Sequence, residues 1–216
     1  MSRARGRILY AVVGLLWATG VVVGVTLLWR YEGAAGAAAR APGDWPGDTH
    51  VSRTLGLPTL VLLVHAHCPC SRATIGELAV LMTRCQGKLN ATVLMLRPEG
   101  KPDGWERTDL WDSAAAISGV SVVSDVGGAE SRRFGAATSG QALLYATDGR
   151  LIFAGGITES RGHSGDNAGR AAVTALVLGT AKAAPASPAV TPVYGCPLSN
   201  NASPCPNEGA PACPSR

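Results

Sequence analysis

The sequence predicts an α/β fold, a three-layer α/β/α sandwich built on a mixed sheet and preceded by one transmembrane helix. Three observations lead to this fold class. Residues 8–29 are an uninterrupted apolar segment of the length that crosses a bilayer as a helix. Between residues 57 and 179, apolar segments of strand length alternate with segments of helical periodicity. Late in that region, Thr147-Asp148-Gly149 has the composition of a hairpin turn.

The apolar segment is predicted to be a signal-anchor with a defined orientation. Residues 1–7 contain three arginines, whereas only Arg30 and Arg40 follow the segment closely. The positive-inside rule then places residues 1–7 in the cytoplasm and everything after residue 29 in the periplasm or outside the cell, on a single-pass protein of the inner membrane. A cleaved signal peptide is the alternative, since three alanines at residues 37–39 are acceptable to a peptidase. Both alternatives place the cysteines in an oxidising compartment.

The remaining chain divides into three parts by composition. Residues 30–54 are predicted to be a flexible tether, residues 55–180 the folded domain, and residues 181–216 a disordered tail rich in Ala and Pro. The predicted element order in the domain is βαβαβαββα. Predicted strands cover 59–64, 91–96, 120–123, 141–145 and 151–154, and predicted helices cover 73–85, 110–117, 129–134 and 169–178.

Charge and motif content exclude several classes of function. The 216 residues carry a formal net charge of only +4, and the arginines are scattered instead of clustered with aromatic residues. Nucleic-acid binding is therefore not expected. No Ser–His–Asp order, phosphate-binding loop or paired-carboxylate motif stands out in the chain.

The residues with the clearest chemistry lie where the first predicted strand meets the first predicted helix. His65, His67, Cys68 and Cys70 follow the apolar strand directly, and the helical periodicity begins just after them. Unpaired N–H groups and the helix dipole at such a position favour a thiolate over a thiol. A plain structural role for this sulfur pair is therefore less expected than a redox-active centre.

The element order, the cysteine motif and the late hairpin together resemble the thioredoxin-like superfamily over about residues 55–179. In closer detail the chain is similar to the membrane-anchored, thioredoxin-fold proteins called RedB. The segments that carry this narrower resemblance are HAHCPCS at 65–71, FGAATSG at 134–140, GGIT at 155–158, RGH at 161–163 and YGCP at 194–197.

The resemblance implies that Cys68 matches the attacking cysteine of a Trp-Cys-x-x-Cys motif and that His67 stands at the Trp position. This chain departs from the pattern in two places. Ser71 occupies the position of the resolving cysteine, so that the motif is Cys-x-Cys with Cys70 inside it. Gly140 stands where the superfamily usually has a cis-proline, which shapes the substrate groove and keeps metals off the thiols. This second departure weakens the case for a general disulfide reductase and leaves room for metal binding.

Three uses of the two sulfurs remain open. Cys68 attacks a substrate disulfide and Cys70 resolves the product through a strained, easily reduced bridge. In the second case Cys68 works alone, as in monothiol systems. In the third, both thiolates hold a soft metal such as Cu(I). No cofactor is required in the first two cases, and copper is the cofactor in the third.

Topology suggests an imidazole partner for the two sulfurs. The predicted strand 151–154 runs parallel to strand 59–64, so the loop 155–166 should leave the sheet at the edge that carries Cys68. Within that loop, His163 is expected to act as a general base, to stabilise the thiolate, or to complete a Cys68–Cys70–His163 metal site. His67 is expected to tune the pKa of its neighbour Cys68.

The other cysteines have weaker functional signals. Cys85 lies at a helix end and is expected to be a small buried apolar residue. Cys196, Cys205 and Cys213 each precede a proline in the tail, and their spacing fits no zinc motif. Arbitrary pairing in a disordered tail is the simpler expectation. Cys196 is the best candidate among them for a resolving thiol or a third ligand.

The leading hypothesis is a membrane-anchored, extracytoplasmic protein that performs thiol–disulfide exchange with a thiol- or disulfide-bearing protein partner. Cys68 would be the nucleophile and Cys70 the resolving thiol, with His67 and His163 tuning the site. A copper-handling protein that uses Cys68, Cys70 and His163 is the alternative. A third possibility is an adaptor that keeps the fold without catalysis.

Overall fold

The computed structural model describes residues 3–54, 56–181 and 187–198 of the 216-residue chain, except for the side chain of Ala4. The chain divides into two compact units, Met1–Ala34 and Ala35–Arg216. The first contains one helix and the second contains the sheet.

The first unit consists of helix α1, Arg3–Glu32. Its large apolar side chains are exposed, including Leu16 and Trp17 in the middle of the helix. Among the described residues, this is the one helix that is long and apolar enough to cross a membrane, by length and composition. The structure therefore agrees with the predicted apolar helix at residues 8–29, which continues about one turn farther at each end.

The second unit is organised around a six-stranded mixed sheet with the order β3-β2-β1-β4-β5-β6. The central strand β1 pairs in parallel with β2 and antiparallel with β4, and β4 pairs antiparallel with β5. The strands are β1 Thr59–His65, β2 Asn90–Arg97, β3 Val120–Val126, β4 Gln141–Tyr145, β5 Leu151–Gly155 and β6 Ala189–Val190. The predicted mixed sheet and the parallel direction of β1 and β5 are confirmed.

Helices cover both faces of the sheet, as the fold class requires. Alternate residues of β1 face opposite sides: Leu62 and Val64 pack under α2 and α5, whereas Val61 and Leu63 pack toward Phe134 at the end of α4. The helices are α2 Cys70–Arg84, α3 Asp109–Ala115, α4 Ala129–Arg133 and α5 Ala168–Leu178. Because both faces are covered, β1 is apolar at nearly every position and lacks the polar alternation of a half-exposed strand.

A buried ion pair joins the two long helices behind the cysteines. Glu77 of α2 bonds the guanidinium of Arg170 of α5, and each side chain is almost completely buried. Glu77 also accepts hydrogen bonds from the Gly165 N–H at 2.7 Å and from Asn167 Nδ2 at 3.2 Å. Asn167 in turn caps α5 by accepting from the Arg170 N–H at 2.7 Å. This network orients α2, whose first residue is Cys70.

Two regions differ from the prediction of a flexible tether and a disordered tail. Within residues 35–54, Trp45 packs edge-on against Phe134 and Tyr145, with ring centroids 5.3 and 5.1 Å away, and Val51 is buried. Within the tail, residues 187–198 belong to the folded unit and supply β6, while residues 199–216 lie outside the described residues. Both segments cover apolar surface without a helical or strand-like periodicity.

Candidate redox site at the end of strand β1

The two cysteines lie at the predicted junction of strand and helix. Strand β1 ends at His65, whose carbonyl accepts a hydrogen bond from the Cys68 N–H at 3.0 Å. The Cys68 carbonyl then accepts from the Ser71 N–H at 3.0 Å, and α2 begins at Cys70 after Pro69. This tight turn holds the Cys68 side chain beside the first free N–H groups of a 15-residue helix.

The tail brings a third cysteine to the same place. The Cys196 carbonyl accepts a hydrogen bond from the Ser139 N–H at 2.8 Å, and Thr138 and Pro197 form an antiparallel bridge. The Leu198 N–H donates to the Ala137 carbonyl at 2.9 Å. These bonds hold residues 196–198 against the loop before β4, next to Cys68.

Cys68 is polarised strongly toward its thiolate form. A hydrogen bond from the Cys196 thiol is the largest cause, and it lowers the pKa of Cys68 to about 5 although burial acts in the opposite direction. Backbone N–H groups of Cys196 and Cys70 also donate to the sulfur and lower its pKa. Only 1% of the Cys68 surface is exposed, so the negative sulfur is held by hydrogen-bond donors instead of by water.

The two neighbouring thiols, Cys70 and Cys196, have pKa values that are raised instead of lowered. Burial, followed by the charge of Cys68, raises the pKa of Cys70. The hydrogen bond to Cys68 and burial raise the pKa of Cys196 as well. Arg161 opposes both shifts through its positive charge. The site at neutral pH therefore contains one thiolate, two thiols and one guanidinium.

Two serines connect the motif to the loop before β4. Ser139 Oγ accepts a hydrogen bond from the His65 N–H at 2.9 Å and lies 3.0 Å from Ser71 Oγ, and both side chains are buried. Ser71 also donates to the His65 carbonyl at 3.1 Å. Ser71 therefore takes a positioning role where the resemblance implies a resolving cysteine. The described part of the chain has no cis peptide bond, and Gly140 adopts a positive φ of 93°.

The imidazole groups are arranged differently from the expectation. His67 is exposed, its ring lies 4.1 Å from that of Trp105 between centroids, and its Nε2 is 3.1 Å from the Trp105 carbonyl. His65 interacts electrostatically with Cys68, and burial lowers the pKa of His65. Its Nδ1 accepts a hydrogen bond from the His67 N–H at 3.2 Å, as a neutral ring can. The tuning role of His67 stays a prediction.

The loop after β5 contributes Arg161 to the sulfurs, while His163 is exposed and bonds the Arg161 carbonyl through Nδ1 at 2.9 Å. Arg161 donates to the Gly195 carbonyl at 2.9 Å and to the Cys70 sulfur. No group of three His, Cys, Asp or Glu side chains that could hold a metal ion occurs in the described parts of the chain. Cys68, Cys70 and His163 therefore do not converge as a ready-made metal site.

Cys85 lies apart from this arrangement. Cys85 is completely buried in the core under α2, where burial raises its pKa, in agreement with the expected apolar role. Cys205 and Cys213 lie outside the described residues.

A surface cleft of about 290 Å³ opens beside Cys68. Its walls include His67, Pro69 and Thr108, and an exposed ion pair of Arg72 and Asp109 lies at its rim. A substrate group in this cleft would approach the turn that carries the thiolate.

Sequence reasoning gave too little weight to Cys196 and Arg161. Their positions depend on contacts between segments far apart in the chain, which no periodicity encodes. The one available signal is Gly195 before Cys196, because a Cβ at Gly195 would lie 1.9 Å from the Ser139 carbonyl oxygen. A glycine next to a cysteine is compatible with a close backbone contact, although the residue alone does not identify the partner.

Several solved structures are similar to this chain at low sequence identity. A hypothetical protein of Sinorhizobium meliloti has 19% identity and a TM-score of 0.54, over 76% of this chain and 93% of that chain. An uncharacterised conserved protein of Geobacillus kaustophilus has 17% identity and a TM-score of 0.54, over 79% and 94%. An exposed lipoprotein thioredoxin of Streptococcus pneumoniae has 10% identity and a TM-score of 0.42, over 57% and 85%.

Comparisons with protein-family models and with curated proteins gave no match. The strand order, the helices on both faces and the junction of β1 with α2 give the chain a thioredoxin-like fold, preceded by an apolar helix that could span a membrane.

Proposed function

We propose that this protein is a membrane-anchored, extracytoplasmic thiol–disulfide oxidoreductase in which Cys68 is the nucleophile. The observation that carries the proposal is the set of donors around its sulfur, which lowers the pKa of Cys68 to about 5. A thiolate is the attacking species in disulfide exchange, and with this pKa nearly all Cys68 is ionised at neutral pH.

The chemistry begins with attack of the Cys68 thiolate on one sulfur of a substrate disulfide. The Cys68–substrate S–S bond forms, the substrate S–S bond breaks, and the departing substrate sulfur takes up a proton. A second thiol must then release the bound substrate half. Cys70 and Cys196 are the two described thiols beside Cys68, and each has a raised pKa that keeps it protonated until it is needed. The reverse sequence oxidises a substrate dithiol.

Helix α1 supports the proposed anchoring and location. The helix is long enough to cross a bilayer, and the excess of arginine before it favours a cytoplasmic N-terminus by the positive-inside rule. The cysteines would then face the periplasm or the cell exterior, where exchange with exported thiol proteins takes place. RedB-type proteins, as membrane-anchored proteins of this fold, fit the same description.

The test uses the full chain in detergent micelles, equilibrated with dithiol and disulfide buffers over a range of potentials. Exchange is then stopped with acid, and the free thiols are afterwards alkylated in denaturant at neutral pH and counted by mass. We expect one two-electron couple that disappears in Cys68→Ser. Exchange at this site would be excluded if Cys68→Ser and the wild type, after correction for the one cysteine removed, have the same number of free thiols at every potential.

Copper handling and a non-catalytic adaptor are the competing outcomes. A copper site needs soft ligands arranged around the metal ion. Cys68, Cys70 and Cys196 lie together, but no group of three His, Cys, Asp or Glu side chains among the described residues is placed so that it could hold a metal ion. Anaerobic titration with Cu(I) separates the two. Tight one-to-one binding that is lost in His163→Ala, without a redox couple, would support copper handling, and absence of both would support an adaptor.

A further inference from the structure

Residues 193–198 lie against the redox motif in a fixed register. Val193 and Leu198 are buried at the two ends of this segment, which is called the tail segment below. The Val193 carbonyl accepts a hydrogen bond from the Gly36 N–H at 2.8 Å, and the Gly195 carbonyl accepts from Arg161 at 2.9 Å. The position of Cys196 is therefore set by bonds on both sides of it.

The tail segment packs closely against the loop before β4 because Gly195 has no side chain. A Cβ on Gly195 would lie 1.9 Å from the Ser139 carbonyl oxygen, which is far inside van der Waals contact. The same close approach lets the Ser139 N–H bond the Cys196 carbonyl at 2.8 Å. The backbones are thus close enough for Cys196 to reach Cys68 directly.

From this geometry we infer that Cys196 is the resolving thiol of the site and that the tail segment is a displaceable cover of Cys68. The inference rests on the proposed function, because it assigns the second thiol of that same exchange reaction. Its first support is contact: the Cys196 thiol donates directly to the Cys68 sulfur. Its second is the burial of Cys68, of which only 1% is exposed while the tail segment is in place.

Cys70 is the weaker candidate for resolution. A bridge between residues two apart in sequence closes a very small ring, and disulfides outside their preferred geometry are strained and easily reduced. Cys70 is also the first residue of α2, so its backbone is fixed by the helix. Cys196 belongs to a segment without helix or strand, held mainly by backbone hydrogen bonds and two buried side chains, and the inferred role requires that this segment moves to and from Cys68.

The reaction has two balanced steps. The tail segment leaves, and the Cys68 thiolate, which keeps the Cys70 N–H and the Ser71 hydroxyl as donors, attacks the substrate disulfide. The mixed disulfide forms, and one substrate sulfur leaves as a thiolate that takes up a proton from water. The tail segment returns, the Cys196 thiol gives up its proton, and its sulfur attacks Cys68. The Cys68–Cys196 bond forms, the mixed disulfide breaks, and the second substrate sulfur leaves as a thiolate that takes up that proton. An exported dithiol reductant then restores both thiols.

The first experiment identifies the resolving thiol with a fluorescence-quenched peptide disulfide as substrate. The full chain carries Cys205→Ser and Cys213→Ser, because trypsin leaves both in one peptide with Cys196. Cys196→Ser is compared with Cys70→Ser in this background. Serine keeps a hydroxyl donor for the Cys68 thiolate, so that the substitution removes resolution and retains the hydrogen bond.

With Cys196→Ser we expect the Cys68–peptide mixed disulfide to accumulate and to persist about a hundredfold longer, because the intramolecular attack is lost. With Cys70→Ser the mixed disulfide should not accumulate, and mass mapping should find the Cys68–Cys196 bond. A mixed disulfide that persists only in Cys70→Ser overturns the inference and leaves the proposed function intact. Absence of any mixed disulfide at Cys68 overturns the proposed function itself.

The second experiment tests the cover with a matched pair of glycine substitutions. Gly195→Ala forces the tail segment away from Ser139, whereas a Cβ on Gly47 meets no atom within 4 Å. Alkylation of Cys68 is measured above the ordinary thiol pKa of about 8.5, where Cys68 is ionised with or without the Cys196 donors. We expect it to become at least about tenfold faster in Gly195→Ala and to stay unchanged in Gly47→Ala. Equal rates in the two variants would show that the tail segment does not cover Cys68.

Discussion

Two segments meet at the Cys68 sulfur, and they are held in different ways. Residues 65–71 join a strand that is buried at every position but the last to a 15-residue helix. The Ser71–Ser139 contact and, through α2, the ion pair between α2 and α5 hold them in place. Residues 193–198 have no helix or strand of their own and are held by the loop before β4 and by Arg161. The first segment is part of the sheet and a helix, and the second is anchored to the core only by Val193 and Leu198 at its ends.

This difference assigns different tasks to the two segments. Nucleophilic attack needs a sulfur in a constant environment, and a rigid junction provides it. Resolution needs a thiol that withdraws while the substrate is bound and then returns, and elements of low local stability provide such motion. Substitutions at Cys68 and in the ion pair between α2 and α5 should therefore have the largest effects on disulfide cleavage and on stability. Substitutions at the surrounding side-chain contacts should have smaller effects.

The largest effect is expected from Cys68→Ser. A serine hydroxyl at this position remains protonated at neutral pH, so cleavage of a peptide disulfide should fall to the uncatalysed rate. The matched control is Cys205→Ser, outside the described residues, which should leave the rate unchanged. Measured activity of Cys68→Ser above one tenth of wild type would assign the attack to another sulfur.

The next largest effect concerns the buried ion pair behind the motif. Arg170→Met leaves the Glu77 carboxylate buried without its cation, at a cost of about 3–5 kcal/mol in the free energy of unfolding. Chemical denaturation of the full chain in micelles measures this cost. Arg150→Met, which removes an exposed partner 4.0 Å from Asp148, is the control and should leave the unfolding curve unchanged.

The double variant Glu77→Gln/Arg170→Met sharpens the same test, because it removes both charges. Its unfolding free energy should be higher than that of Arg170→Met. If the single and double variants are equally destabilised, the cost comes from lost packing and not from an uncompensated charge.

A smaller loss is expected from Trp45→Ala. Trp45 is half-buried and packs against two aromatic rings, so its removal should cost about 2 kcal/mol of unfolding free energy. His50→Ala removes an exposed side chain from the same segment and is the control. Equal stability of the two variants would mean that residues 35–54 act as the tether that the composition predicts.

The smallest effect is expected from Ser139→Ala, which removes the acceptor of the His65 N–H and a contact of Ser71. We expect a loss of about 1 kcal/mol by chemical denaturation, against no loss for the exposed helical Ser113→Ala. A Ser139→Ala chain as stable as wild type would show that the serine pair does not join the motif to the loop before β4.

The fold and the fixed segment were predictable because local patterns encode them. Strand-length apolar segments, helical periodicity and the turn at Thr147-Asp148-Gly149 gave every element from β1 to α5 in the correct order. The junction that carries Cys68 and Cys70 followed from the same periodicity. The arrangement of side chains within the site was harder to predict, because it depends on the contact of His67 with Trp105 and on the interaction of Arg161 with the sulfurs.

The tail segment was not predictable for a physical reason. Its contacts with Ser139 and Gly36 are backbone hydrogen bonds across more than fifty residues of sequence, and every residue type has the groups that make them. Composition rich in Ala and Pro at residues 181–192 favours disorder when it is considered alone. The position of such a segment is determined by the surface of the folded unit against which it packs.

The measurement that tests the central claim most directly is the ionisation of Cys68. The pH dependence of thiolate ultraviolet absorbance is recorded for the full chain, and the curve of Cys68→Ser is subtracted. We expect a midpoint near the pKa of about 5 that the donors impose on Cys68, retained in large part in Cys196→Ser and shifted upward in Cys196→Ala. A wild-type midpoint at the ordinary thiol value of about 8.5 would contradict the account.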